Sequence, residues 1–193
     1  MVLTTTRSWI LARYPDGVPT YSGPSPTFKL VERELPPLKE DQVLVKTLYL
    51  SNDPAQRTWI NNALSTERNY AKPVEINTPM HARGLAEVIE SRSAALPKGT
   101  IVLAGVNWNE YAVVDAKDVT PREPLPNGLS ISHYLGALGP TGLTAYYGLV
   151  VIGEAKAGQR VVVSGAAGAT GSMVVQIAKK VGLVHKRNPP VHF

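Results

Sequence analysis

Cysteine is absent from the chain. Disulfides, thiol nucleophiles and cysteine-bound zinc are excluded with it. The four histidines, His81, His133, His185 and His192, lie far apart, and no HxxxH or HExxH spacing occurs, so no metal site is expected. No run approaches the roughly 18 apolar residues of a membrane span. The opening MVLTTTRSWILARYP has Arg7 and Arg13 bracketing only five residues, which leaves no apolar core for a signal peptide. These absences lead to the expectation of a soluble, cytoplasmic protein with no membrane contact. Acidic residues are also missing from one region: none follows Glu154.

The charge that is present is unevenly placed. The formal net charge is +5, from 20 Lys and Arg against 15 Asp and Glu. Lys179, Lys180, Lys186 and Arg187 account for most of that excess, and the rest of the chain is nearly balanced. Aromatic residues do not interleave with those cations, so no nucleic-acid partner is expected. Hydrophobic residues at 44% and charged residues at 18% describe a globular chain. Its 193 residues suit one domain or two small ones. The proline-rich TPREPLPNG (120–128) divides it best, into residues 1–125 and 126–193.

The first part reads as strands. TFKLVEREL (27–35) has apolar and β-branched residues at strand spacing, and PPLKEDQ makes a proline-led turn after it. QVLVKTLYL (42–50) follows, with Val43, Val45 and Thr47 on one face and Leu44, Leu48 and Leu50 on the other. GLAEVIES (84–91), GTIVLAGV (99–106) and EYAVV (110–114) continue the pattern. Short strands at this spacing point to a partly open barrel or a sandwich. A helical insertion interrupts them: Asp53 as N-cap, Pro54 at the first helical position, then AQRTWI.

Beyond Pro126 the period changes. LSISHYLGALG (129–139) and PTGLTAYYGLVVIG (140–153) read as helices with Ser130 and Thr141 as caps. VVVS (161–164) reads as a strand and SMVVQIAKKV (172–181) as a helix with Met173, Ile177 and Val181 on one face. GAAGATG lies between them. Ala166, Gly168 and Gly171 occupy the three positions of a dinucleotide fingerprint, in the strand–turn–helix context it requires. Small residues there let the chain turn sharply and let backbone N–H groups reach a pyrophosphate at the positive end of a helix. The alternative is a glycine turn that only packs a helix on a sheet. The acid that usually holds the ribose about 20 residues on is absent. Leu183-Val184-His185 could begin a second strand, with Lys186 and Arg187 near its end to meet the extra phosphate of NADP. The stronger reading of KRNPPVHF is a frayed basic terminus whose two prolines would stop a strand.

Five segments together carry a resemblance: LSNDPAQRTWI (50–60), MHARGLAEVIES (80–91), WNEYAVV (108–114), LGPTGLTAYYGL (138–149) and VVVSGAAGATGSMVVQIAKK (161–180). In that order the chain resembles the N-terminal part of the zinc-independent medium-chain dehydrogenases/reductases. The nearest group is the NADP-dependent alkenal/one oxidoreductases, with leukotriene B4 12-hydroxydehydrogenase and prostaglandin reductase activities. The resemblance implies a β-rich GroES-like, partly open barrel followed by the first βα unit of an incomplete Rossmann domain. It implies hydride transfer from NADPH, with NADH still open, to the β-carbon of an enone, enal or quinone. Asn52, Asp53 and Arg57 match the loop at the family's catalytic cleft. Ala166, Ala167, Gly168, Ala169, Thr170 and Gly171 match its pyrophosphate turn. Thr144 matches a segment near the nicotinamide, or its hydroxyl bonds back to its own helix. Ala55 stands where the family often has tyrosine. Trp59 and Trp108 line the substrate cleft or, the better reading, pack in the core.

Family members continue well past Val181, where the likeness fades, so a shortened form is expected. Such a form leaves the apolar sides of VVVS and SMVVQIAKKV with little to bury against. A non-catalytic chain that associates with a full-length subunit, or with a second copy of itself, is the alternative to an active enzyme.

Overall fold

In the computed structural model, residues 3–61 and 72–185 are described. The chain forms two units, Met1–Pro124 and Leu125–Phe193.

The N-terminal unit is built on a five-stranded antiparallel sheet. Its strands are β3 (Gln42–Leu50), β4 (Gly84–Ser91), β5 (Ile101–Ala104), β6 (Tyr111–Asp115) and β7 (Thr120–Pro121), in spatial order β6-β3-β4-β5-β7. β1 (Thr5–Leu11) and β2 (Phe28–Glu34) form a separate antiparallel ribbon. Bridges from Ser8 to Asn109 and from Ile10 to Pro79 stitch that ribbon to the sheet. The Trp9 N–H donates to the Trp108 carbonyl at 2.9 Å, and the Glu110 N–H to that of Arg7 at 2.9 Å. The result is a wrapped but unclosed sheet, as the sequence pattern implied.

β-branched residues fill the interior, where a pleated surface packs them well. Val43, Val45, Val88 and Val102 are fully buried in one cluster. A second cluster of Leu11, Ile60, Val74 and Met80 lies against Trp59 and Trp108. Burial of a leucine such as Leu11 contributes about 1.5–3 kcal/mol. β3 departs from strict alternation. Its pairing with β4 shifts register after Leu44 and after Thr47, so Leu44 is buried with Val43 and Val45 while Leu48 and Leu50 emerge to solvent. β1 was not anticipated: Arg7 and Ser8 interrupt its apolar run.

α1 is a single turn, Gln56–Trp59, and begins later than Asp53-Pro54 suggested. Asp53 does not cap it with its side chain, which accepts a hydrogen bond from the Ser51 hydroxyl at 2.9 Å instead.

In the C-terminal unit the expected helix at 129–139 is one 3-10 turn, Ile131–Tyr134, followed by turns. Gly136 and Gly139 favour those turns over a continued helix. Ser130 does cap, accepting from the Ser132 N–H at 3.2 Å. α2 (Pro140–Tyr146) has Gly139 as N-cap, and the Thr141 hydroxyl donates to the Gly136 carbonyl rather than capping. A π-helical turn, Tyr147–Ile152, extends α2. The strand at VVVS is shorter than its β-branched run: β8 covers only Arg160–Val161. It pairs in parallel with β9 (Val184–His185), so the second strand forms. Lys186 and Arg187 lie outside the described residues. α3 (Ala169–Lys180) starts three residues before the expected Ser172. The unit's core is small, with Leu149, Ala178 and Leu183 at its centre. Val162 is 84% exposed and Ile152 80%, so apolar surface does stay uncovered within this unit. Among the described residues, no helix is long and apolar enough to cross a membrane.

Candidate functional site

Each unit holds one feature with chemical potential. In the N-terminal unit it is a cleft of about 750 Å³, within the roughly 300–1,000 Å³ range of small-molecule sites. Trp9, Tyr21, Phe28, Leu30 and Trp108 supply its apolar walls. Phe28 and Trp108 meet with ring centroids 5.0 Å apart at 44°. Trp108 also packs on the buried Leu11–Met80 cluster, so core packing and cleft lining are both true of it. Trp59 packs on the same cluster.

Asn52 lines this cleft and also a smaller adjoining one of about 180 Å³, whose lining includes Asp53 and Arg57. The three residues matched to the family's catalytic loop are therefore brought together at one cavity. A buried side chain absent from that set positions them. Gln56 is 6% exposed. Its Oε1 accepts from the Asp53 N–H at 3.1 Å and its Nε2 donates to the His81 carbonyl at 2.9 Å. Asp53 and Gln56 have the spacing of a capping box, a signal the sequence did contain. Arg57 donates to the Gly17 carbonyl at 3.2 Å. The Asn52 side chain makes no hydrogen bond among the described residues, so its amide is available to a ligand carbonyl.

One ion pair shares the larger cleft. Arg7 Nε donates to Glu110 Oε2 at 2.9 Å and its terminal nitrogen to Oε1 at 3.1 Å, a two-pronged match of fork to carboxylate. The Arg7 hydrogen bond holds the Glu110 carboxyl below its usual range, and Glu110 in turn raises Arg7. Neither residue was singled out from the sequence; they stand 103 positions apart, and their meeting depends on the β1–β6 seam. No group of three acidic or histidine side chains that could hold a metal occurs among the described residues.

The C-terminal unit holds the glycine turn. Gly165 adopts φ +61, a left-handed conformation that favours glycine. The Gly168 N–H closes the turn onto the Gly165 carbonyl at 2.9 Å. Gly168 is the N-cap of α3 and offers no side chain to the first-turn amides of Ala169, Thr170 and Gly171. Those donors lack partners within the helix by construction. A Cβ on Gly171 would overlap the Gly165 carbonyl oxygen, so only glycine lets the helix start this close to the turn. Ala166 and Ala167 are exposed, and no acidic residue stands in the first turn to repel an anion. These features fit a diphosphate. Thr144 is exposed on α2, and its hydroxyl does not bond back to the helix.

Comparison with known proteins places these features in context. Residues 7–121 match the family described as the N-terminal domain of oxidoreductase. The chain is 39% identical over 182 residues to prostaglandin reductase 1 of Mus musculus, covering 93% of this chain and 50% of that protein. It is 36% identical over 176 residues to the NADPH-dependent curcumin reductase of Escherichia coli, covering 91% and 48%. CurA from Vibrio vulnificus in complex with NADPH superposes with a TM-score of 0.77 at 33% identity, over 93% of this chain and 50% of that one. The chain thus spans about half the length of the relatives it matches.

Proposed function

The chain belongs to the oxidoreductase family of NADP-dependent, zinc-independent enoyl reductases within the medium-chain dehydrogenases/reductases, and on that premise we propose that it serves the NADPH-dependent reduction of α,β-unsaturated ketones and aldehydes. Bound NADPH would supply a hydride to the β-carbon, leaving NADP+, and a proton taken up at the α-carbon would complete the saturated product. The observation that carries the reading is the Gly165–Gly171 turn, whose exposed small residues and open first-turn amides suit a diphosphate.

The other roles follow from what each residue touches. Trp9, Phe28 and Trp108 offer an apolar wall that keeps water from an enone. Asn52 is a free donor in the cleft and would hold the carbonyl oxygen as negative charge develops on it. Gln56 acts as a positioning residue, fixing the Asp53 end of the loop to His81. Ala55 brings no hydroxyl, so the proton would come from solvent rather than from this loop position. A cytoplasmic site of action agrees with the reading.

A second reading draws support from the exposed Val162 and Ile152. The chain would then be non-catalytic by itself and would associate with a longer subunit of the same family, or with another copy of itself.

One experiment separates the readings. Purified chain is titrated with NADPH by fluorescence and then assayed for enone-dependent loss of absorbance at the nicotinamide band. Turnover supports the first reading. Binding without turnover, with turnover appearing on addition of a longer relative made inactive by its own substitution, supports the second. Absence of any NADPH binding refutes the first reading, and absence of association with a longer relative or with a second copy refutes the second. Ala167→Asp puts a carboxylate on the exposed turn and is expected to weaken NADPH binding about tenfold or more through like-charge repulsion.

A further inference from the structure

The cleft holds a cation that its own carboxylate has already occupied. Arg7 and Glu110 both line it, and their two-pronged contact uses the Nε and one terminal nitrogen of the guanidinium. The side chains are 65% and 36% exposed, so a ligand in the cleft can reach them. An unpaired guanidinium in this place would attract a substrate carboxylate with the geometry it now offers Glu110. With Glu110 present, an anionic substrate must displace a carboxylate that is held in place. Backbone bonds keep it there: the Glu110 N–H donates to the Arg7 carbonyl, and the Tyr111 N–H to the Thr6 hydroxyl at 2.9 Å. Around the pair the walls are aromatic and aliphatic, which suits a neutral, flat ligand.

We propose that Glu110 is a specificity-determining residue, one that neutralises Arg7 and so selects uncharged substrates over those with a carboxylate near the enone. The inference rests on the reading of this cleft as the substrate site.

The test measures binding rather than turnover. Wild-type chain is titrated by NMR, through the indole signals of Trp9 and Trp108, with a neutral aryl enone and with the same enone carrying a para-carboxylate. The quantity read is the ratio of the two dissociation constants. Glu110→Gln should move that ratio in favour of the carboxylate by roughly threefold at low salt, the scale of an exposed ion pair, and the shift should fade as salt is raised. Arg7→Gln combined with Glu110→Gln should return the ratio to its wild-type value. Asp118→Asn, a surface charge change outside the cleft, should leave it alone. A ratio unmoved by Glu110→Gln, or moved equally by Asp118→Asn, overturns the proposal while the cleft keeps its role. Failure of the neutral enone to bind wild-type chain removes the cleft reading itself, and this inference with it.

Discussion

Gly171→Ala tests the glycine turn directly. The added Cβ would overlap the Gly165 carbonyl oxygen and lie 2.8 Å from its carbonyl carbon and 3.0 Å from the Ala166 Cα. All three are backbone atoms, so no side chain can rotate away. Overpacking costs about 1–3 kcal/mol, and a rigid obstacle places this case near the upper end. Alanine in a helix recovers about 1 kcal/mol relative to glycine. A net loss of about 2 kcal/mol is expected in the C-terminal unit. Gly148→Ala is the matched comparison. Nothing lies within 4 Å of a Cβ there, so the helical preference acts alone, for a gain of up to about 1 kcal/mol. All three tryptophans lie in the N-terminal unit, so their fluorescence cannot follow this change. Hydrogen exchange at the α3 amides can. Opening should become roughly thirtyfold more frequent in Gly171→Ala and rarer in Gly148→Ala. Equal protection in the two variants would refute the claim that α3 begins in contact with the turn.

Two further outcomes concern the N-terminal unit. Leu11→Ala empties a fully buried position beside Ile60, Val74 and Met80 and should lower stability by about 2–5 kcal/mol; urea unfolding followed by tryptophan fluorescence would contradict this with a loss under about 1 kcal/mol. The Arg7–Glu110 pair should show in the acid limb of the stability curve. Glu110 has a lowered folded pKa, so its contribution is complete above the ordinary value of 4.5 and is lost as pH falls through the lower folded value. Arg7 is raised above its ordinary value by Glu110, so its part is present throughout the neutral and acid range and disappears only in strong base. The difference between wild type and Glu110→Gln should therefore be small at pH 7, shrink below pH 4.5 and shrink with salt. A difference that holds constant down to pH 3 would contradict the pairing.

Local pattern alone was enough for β2, β3 and β4, because alternating apolar and β-branched residues between turn signals encode extended backbone. The same held for the turn before α3, where Gly165, Gly168 and Gly171 announce their backbone demands in residue type. It failed where the outcome depends on a distant neighbour. VVVS looks like a full strand, yet among the described residues β8 pairs with β9 only through Arg160 and Val161, and Val162 is exposed. β1 carries a polar middle, and its place comes from pairing with β2 and bridging to Asn109 and Pro79.

The chain's order of residues, read by itself, settled the type of β2 to β6, α2 and α3 and marked the glycine turn, while the loop of Asn52, Asp53 and Arg57 was picked out by resemblance. The aromatic cleft, the Arg7–Glu110 pair and the hold of Gln56 on His81 came from packing. Each joins positions tens to more than a hundred residues apart. Backbone preference is a property of neighbours along the chain, so it can be read from them. Which side chains face one another across a sheet seam is set by register and by two register shifts between β3 and β4, and no short stretch of sequence contains that information.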